Sequence, residues 1–476
     1  MKLFPKTIFA ALLAAAVLII CAAGCAASPS SASLAPFAQN AQDGQNGGAD
    51  IPASSPAAAP GGDPETDLGA GAGSPGASSN DAKQRPIRFL GEGMPLGDGN
   101  EAGYYYLSHR EDASFNIKYV DYASCTEIYL CSRPECTHDN ESCAAWRPYC
   151  GSEGSAIPIG ENLYLMFYGS QVPADHARYG ELAKLHIEKA GLDGSDARQL
   201  VSLPASASLS GGLATDGQYL YMAVMTVEKT ENDETRCFWQ ICAVDLQNGG
   251  IAKSETMDLD NLAIVGAAGR KLILSYYTAP SDGMQSLSDI GAVYCTYDVD
   301  SGRMDAIDAT DRSTRGIPFC AGEYLCWIDR EQACLQKRNV FTGETVSLPF
   351  QMDVSRYEDI RPSYNPLANY ALILLYEPEQ PEQHGLISLE SGKIFLLTME
   401  IEAPEGVHNR TVPLFAEING EAFLTARAFS HKTVLFPLAN GDVLGLQGPS
   451  YELALLPVES CLANRADFVP IRRLEP

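Results

Sequence analysis

Val244-Asp245-Leu246-Gln247-Asn248-Gly249 is a short strand-like segment running into a polar tip that ends on Gly, and the pattern returns along the chain. It recurs as Tyr297-Asp298-Val299-Asp300-Ser301-Gly302, as Asn339-Val340-Phe341-Thr342-Gly343 and as Ile387-Ser388-Leu389-Glu390-Ser391-Gly392. Phe436-Pro437-Leu438-Ala439-Asn440-Gly441 follows, and Ala190-Gly191-Leu192-Asp193-Gly194-Ser195 opens the series. Tight turns between strands need positive φ, which Gly and Asn adopt at least cost, so each copy reads as a hairpin tip. Gly194, Gly249, Gly302, Gly343, Gly392 and Gly441 are spaced by 55, 53, 41, 49 and 49 residues. A period of about 50 residues marks one supersecondary unit repeated.

A weaker seventh copy lies upstream, at Lys118 to Ser124, followed by the strand-like Glu127-Ile128-Tyr129-Leu130. Each tip is preceded by a segment rich in aromatic and branched residues, such as Gln218 to Val224, Lys271 to Tyr277 and Glu323 to Ile328. Two hairpins per unit make four strands, the content of one propeller blade. A blade cannot bury both of its apolar faces alone, so blades stack until the last meets the first. The chain is therefore expected to be all-β, a seven-bladed β-propeller, with an eighth partial blade over 451–476 as the alternative. Ring closure is expected from Asp467-Phe468-Val469-Pro470-Ile471 beside the inner strands of the first blade. The stretch Pro173 to Lys189 carries helical residues but becomes strand-like after Leu182.

Leu192-Asp193-Gly194-Ser195 followed by Arg198-Gln199-Leu200 resembles the repeat of TolB-like propellers and of related uncharacterised bacterial lipoproteins. A WD40 repeat does not fit, because none of Trp146, Trp239 and Trp327 is followed by Asp.

The N-terminus reads as an export signal. Lys2 and Lys6 precede an apolar run from Thr7 to Ile20, then the small residues Ala22-Ala23-Gly24 before Cys25. Ala22-Ala23-Gly24-Cys25 resembles a bacterial lipobox, with Ala22 where Leu is usual. The resemblance implies cleavage after residue 24, lipid attachment at Cys25, and an extracytoplasmic chain anchored to the membrane; an uncleaved anchor would leave the same side facing out. Residues 25–85 shift to Ala, Ser, Pro, Gly and Asp without the period of a helix or strand, and read as a disordered tether. A coil of that length spans roughly 40 Å. The propeller is assigned to 86–476, with a cysteine-rich insertion at 125–150.

Sixty acidic against 33 basic side chains leave a formal charge of −27. Such a surface repels phosphate backbones, which proteins hold with Lys and Arg, so nucleic acid is excluded as a partner. The acidity itself reads as solubility near a cell surface.

The densest chemical constellation is Cys131-Ser132-Arg133-Pro134-Glu135-Cys136-Thr137-His138-Asp139-Asn140-Glu141-Ser142-Cys143, flanked by Cys125 and Cys150. Cys131, Cys136, His138 and Cys143 offer three thiols and an imidazole, a donor set that zinc takes. Outside the cell, cysteines more often form disulfides that staple a loop, so Cys125, Cys131, Cys136, Cys143 and Cys150 are read first as disulfide candidates and the metal site second. No cofactor is expected, with zinc at this cluster as the open alternative. A similar cysteine-rich segment occurs in lipoproteins of gut Clostridia-type bacteria, and that resemblance brings no activity with it. Cys237 and Cys242 share one strand with side chains on opposite faces, and Cys295, Cys320, Cys326 and Cys334 read as core.

Catalytic signatures are missing: there is no Gly-x-Ser-x-Gly elbow, no His-Glu-x-x-His and no phosphate-binding loop. Histidines 109, 176, 186, 384, 408 and 431 are scattered over different repeats. Asp298, Asp300, Asp305, Asp308 and Asp311 lack the closing Glu of a calcium loop and read as a solvated edge. No catalytic residue is assigned. The chain is expected to be a surface-displayed binding or protein-interaction module for an extracellular protein or glycan. The alternatives are an extracytoplasmic hydrolase or lyase acting on glycans or lactones, and a structural lipoprotein of envelope assembly.

Overall fold

The structure is a computed structural model that describes residues 85–473, apart from 92–96, 230–234, 279–290, 308–317, 408–409 and 439–440. The signal segment, Cys25, nearly all of the tether, His408, Asp308 and Asp311 lie outside the described residues.

Alternation within the second strand of a blade explains why a ring forms. In Asn162–Phe167, Leu163, Leu165 and Phe167 pack toward the first blade, while Tyr164 and Met166 pack toward the third. In Tyr219–Lys229, Leu220, Met222 and Val224 join one core layer, and Tyr221 and Ala223 join the next. A strand buried on both faces needs a neighbour on each side, and only closure supplies one to every blade. Each fully buried Leu, Met or Val contributes about 1.5–3 kcal/mol of transfer free energy.

Seven sheets result, each built on four antiparallel strands in chain order. Blade 1 is built from Gly97–Gly99, Gly103–His109, Phe115–Asp121 and Thr126–Tyr129. Blade 2 follows with Gly154–Ile159, Asn162–Phe167, His186–Gly191 and Arg198–Ser202. Blades 3 to 6 repeat the order in sequence, from Ala207–Thr215 through Ile394–Leu397. Blade 7 comprises Leu414–Ile418, Ala422–Pro437, Val443–Pro457 and Val469–Pro470.

The tips share a mechanism. Asp245 Oδ1 accepts hydrogen bonds from the Gln247 and Asn248 amides, and the Gly249 amide returns to the Asp245 carbonyl. Asp298 with Gly302 and Asn339 with Gly343 repeat this arrangement. In blade 1, Asp121 Oδ1 likewise accepts from the Ala123 and Ser124 amides, with Cys125 at positive φ where the others place Gly. Gly441 departs from the series. The other tips join the third and fourth strands of a blade, whereas Gly441 sits between the second and third strands of blade 7. Those two strands are 16 and 15 residues long, and their outer ends form an arm.

Closure also differs from expectation. Val469–Pro470 completes the outer edge of blade 7, and Arg472–Arg473 pairs in parallel with Thr126 and Glu127 of the outermost strand of blade 1. The tail thus bridges outer edges, not inner strands, and the ring has seven blades. Near the axis an added strand, Arg88–Gly91, pairs with Ala207–Thr215. A Cβ at Gly212 would lie within 2.8 Å of Phe89 Cε2 and of the Gly91 carbonyl, so only glycine lets the added strand approach. A cavity of about 530 Å³ remains beside it, lined in part by Phe89, Leu90, Tyr104, Ala267, Phe415 and Glu417.

Antiparallel order sorts the connections onto two faces. Turns between first and second and between third and fourth strands lie on one face and are short, except in blade 7, where 458–468 with the helix Val458–Leu462 joins the third strand to the fourth. Connections between second and third strands, and between blades, lie on the other. That second face carries the cysteine-rich connection after Tyr129, the helix Pro173–Tyr179 and the arm. The chain enters from the short-turn face: the Ile87 amide donates to Gly269 O at 2.7 Å, and Arg270 Nη1 donates to Arg85 O at 3.1 Å.

Candidate metal centre and the long-loop face

The segment after blade 1 cannot continue as sheet. Its Pro134 lacks an amide donor, and Glu135 and His138 both take positive φ. The chain folds back so that Asn116 Nδ2 donates to the His138 carbonyl at 2.7 Å and Arg110 Nη1 donates to it at 3.1 Å. The Tyr129 ring stacks on the imidazole, centroids 4.3 Å apart and planes at 18°. These contacts bury His138 to 5% exposure and Cys143 to 2%.

Folding brings together one atom from each of Cys131, Cys136, His138 and Cys143, all within 4.8 Å of one another. His138 Nδ1 lies 3.2 Å from Cys143 Sγ. Arg133 Nη2 donates to Cys136 Sγ at 3.2 Å and to Ser142 Oγ at 3.3 Å, placing a positive charge against the sulfur cluster. Burial pushes the Cys143 thiol up to about 11. At Cys131 burial acts the same way, but hydrogen bonding to Arg133, Cys143 and Cys136 outweighs it and brings the thiol below its ordinary value. Burial, with the charges of Arg133 and Arg110, lowers His138 and so favours its neutral imidazole.

All twelve described cysteines carry free thiols. Of the five disulfide candidates, Cys131, Cys136 and Cys143 converge. Cys125 sits at the blade 1 tip facing the Tyr122 carbonyl, and Cys150 is buried beside Ser152. Cys237 and Cys242 lie in one strand and pack into different core layers. Cys295, Cys320, Cys326 and Cys334 are buried. Asp298 caps its turn, Asp300 pairs with Arg270 at 2.8 Å and Asp305 pairs with Arg303 at 2.8 Å, as a solvated edge would.

Two features went unread in the sequence. One is Arg133, whose only signal was its place between two cysteines. The other is the arm, which looks like one more tip until its strand lengths are seen. The arm reaches over blades 1 and 2: the Leu435 amide donates to Glu111 O at 2.7 Å and Arg178 Nη1 donates to Leu438 O at 2.7 Å. Phe436 meets His109 and Tyr149, each at 5.4 Å, and Tyr149 meets Tyr179 at 5.7 Å. Arm, helix and cysteine-rich connection therefore form one continuous surface. Leu435, Val443, Leu444 and Leu446 on the arm are exposed.

No protein-family model matches the chain, and no curated protein matches it in sequence. Among solved structures it is similar to puromycin hydrolase, at 15% identity and a TM-score of 0.45, over 84% of this chain and 56% of that one. The chain thus spans little more than half the length of that enzyme. It is also similar to an uncharacterised protein from Listeria monocytogenes, at 12% identity and a TM-score of 0.38, covering 71% and 89% of the two chains. TolB from Acinetobacter baumannii follows at 12% identity and a TM-score of 0.30, covering 73% and 80%. At these levels none of the three bears on what the chain does.

Proposed function

We propose that the chain is an extracytoplasmic lipoprotein, anchored through Cys25, whose propeller binds a protein partner on its long-loop face. The supporting observation is topological. Arg85 lies at the short-turn face, against Arg270, whereas the arm, the helix and the cysteine-rich connection occupy the opposite face. A tether attached at one face turns the elaborated face away from its anchor. That face carries the arm, which exposes Leu435 and Val443 on one side of its two-stranded ribbon and Leu444 and Leu446 on the other, apolar surface that a partner protein would cover.

A photoreactive cross-linker at Leu444, compared with one at the exposed Thr342 on the short-turn face, tests the reading on intact cells. The expected result is a single cross-linked protein species from position 444 only. Identical products from both positions, or none from 444, would refute it. Labelling with a fatty acid tests the anchor separately: label is expected on the wild type and absent from Cys25→Ser.

A further inference from the structure

We propose that Cys131, Cys136, His138 and Cys143 bind one zinc ion in a closed tetrahedral site that pins the connection between blades 1 and 2. The inference is independent of what the long-loop face binds.

Geometry carries it. Zinc bonds of about 2.3 Å to sulfur and about 2.0 Å to nitrogen place tetrahedral ligands roughly 3.5–3.8 Å apart. Four donor atoms within 4.8 Å of one another, with the Nδ1–Sγ pair at 3.2 Å, need only small rotamer adjustments to reach that spacing. Three sulfurs and one imidazole are soft and borderline donors, which select zinc over the hard cations that oxygen ligands hold. Four protein donors also leave no open position, which is the structural and not the catalytic form.

The surroundings match the ion's electrostatics. Three thiolates and one zinc ion carry a net charge of −1, and Arg133 supplies the opposite charge with its guanidinium on Cys136 Sγ. Tyr129 fixes the plane of the imidazole, while Asn116 and Arg110 hold its backbone carbonyl. Such outer contacts orient ligands before the metal arrives. A disulfide accounts for less. It would join two of the three converging sulfurs and leave the third, with the buried His138, unused. The segment also has little regular structure, with Glu135 and His138 both at positive φ, so it gains from a fastening that its own backbone does not provide.

The test uses the full chain, purified in detergent under reducing conditions without chelator. Elemental analysis is expected to find about one zinc per chain in the wild type and in Cys150→Ala, and a loss of at least tenfold in His138→Ala and Cys143→Ala. Because those variants risk misfolding, the wild type is also read directly. Adding a chelator is expected to expose three further reactive thiols per chain, and cobalt in place of zinc should give thiolate-to-metal absorption with the intensity of a tetrahedral site. A metal-free wild type, iron in place of zinc, zinc retained by His138→Ala and Cys143→Ala alike, or a disulfide among the three cysteines would overturn the proposal.

Discussion

Glu127 shows how much one side chain carries in this ring. It is 3% exposed, accepts from Lys118 Nζ and Tyr106 Oη at 2.7 Å each, and accepts from Arg473 Nε at 2.9 Å. Burial alone would raise its carboxyl, but Lys118, Arg473 and Tyr106 outweigh burial and hold it below the usual value. A carboxyl depressed on folding contributes stability that is fully present above its unfolded pKa, about 4.3, and is lost as pH falls through the folded value. The wild type is therefore expected to lose thermal stability as pH falls below about 4.3, and Glu127→Gln to lose less over the same fall. Melting curves at a series of pH values check this; parallel curves for the two proteins would contradict it. At neutral pH, Glu127→Ala leaves Lys118 buried without its counter-charge, at a cost of about 3–5 kcal/mol. None of this was legible in the sequence. Glu127 lay in a strand-like run, and nothing marked Arg473, 346 residues away, as its partner.

At the scale of elements, strands and tips were legible and the arm was not. Hairpin tips are local: Asp245, Gln247, Asn248 and Gly249 settle their own geometry through hydrogen bonds spanning four residues or fewer. The second strands were legible for the same reason, since a run such as Leu272-Ile273-Leu274 is apolar at every position and must be buried on both sides. The arm depends instead on what lies beneath it. Phe436, in contact with His109 and Tyr149, is its aromatic point of attachment. Phe436→Ala is expected to cost about 1–3 kcal/mol and to free the arm before the ring unfolds. Limited proteolysis should then cut near residues 437–443 at protease levels that leave the wild type intact. Unchanged cutting would show that the Leu435 amide on the Glu111 carbonyl and Arg178 on the Leu438 carbonyl hold the arm without the ring of Phe436.

For the whole molecule, the decisive feature is how the ring is shut. Val469–Pro470 lies on blade 7 and Arg472–Arg473 on blade 1, so the last residues cross the joint between first and last blades. Ending the chain after Phe468 removes both pairings and the Arg473–Glu127 ion pair. It is expected to lower the melting temperature well beyond the effect of removing only 474–476. Calorimetry on the two truncations checks this, and equal melting temperatures would show that side-chain packing between blades 7 and 1 closes the ring unaided. The repeat of tips and apolar strands by itself determined that the chain is all-β and a propeller, because blade formation depends on neighbours in sequence and on the need to bury two faces. It also determined which residues could hold a metal, since Cys131, Cys136, His138 and Cys143 fall within one short segment. Only the tertiary structure decided that these four converge while Cys125 and Cys150 stay apart, that the chain enters at the short-turn face, and that the tail joins outer strands. Those outcomes turn on contacts between residues distant along the chain, whose free energy exists only once the blades have packed.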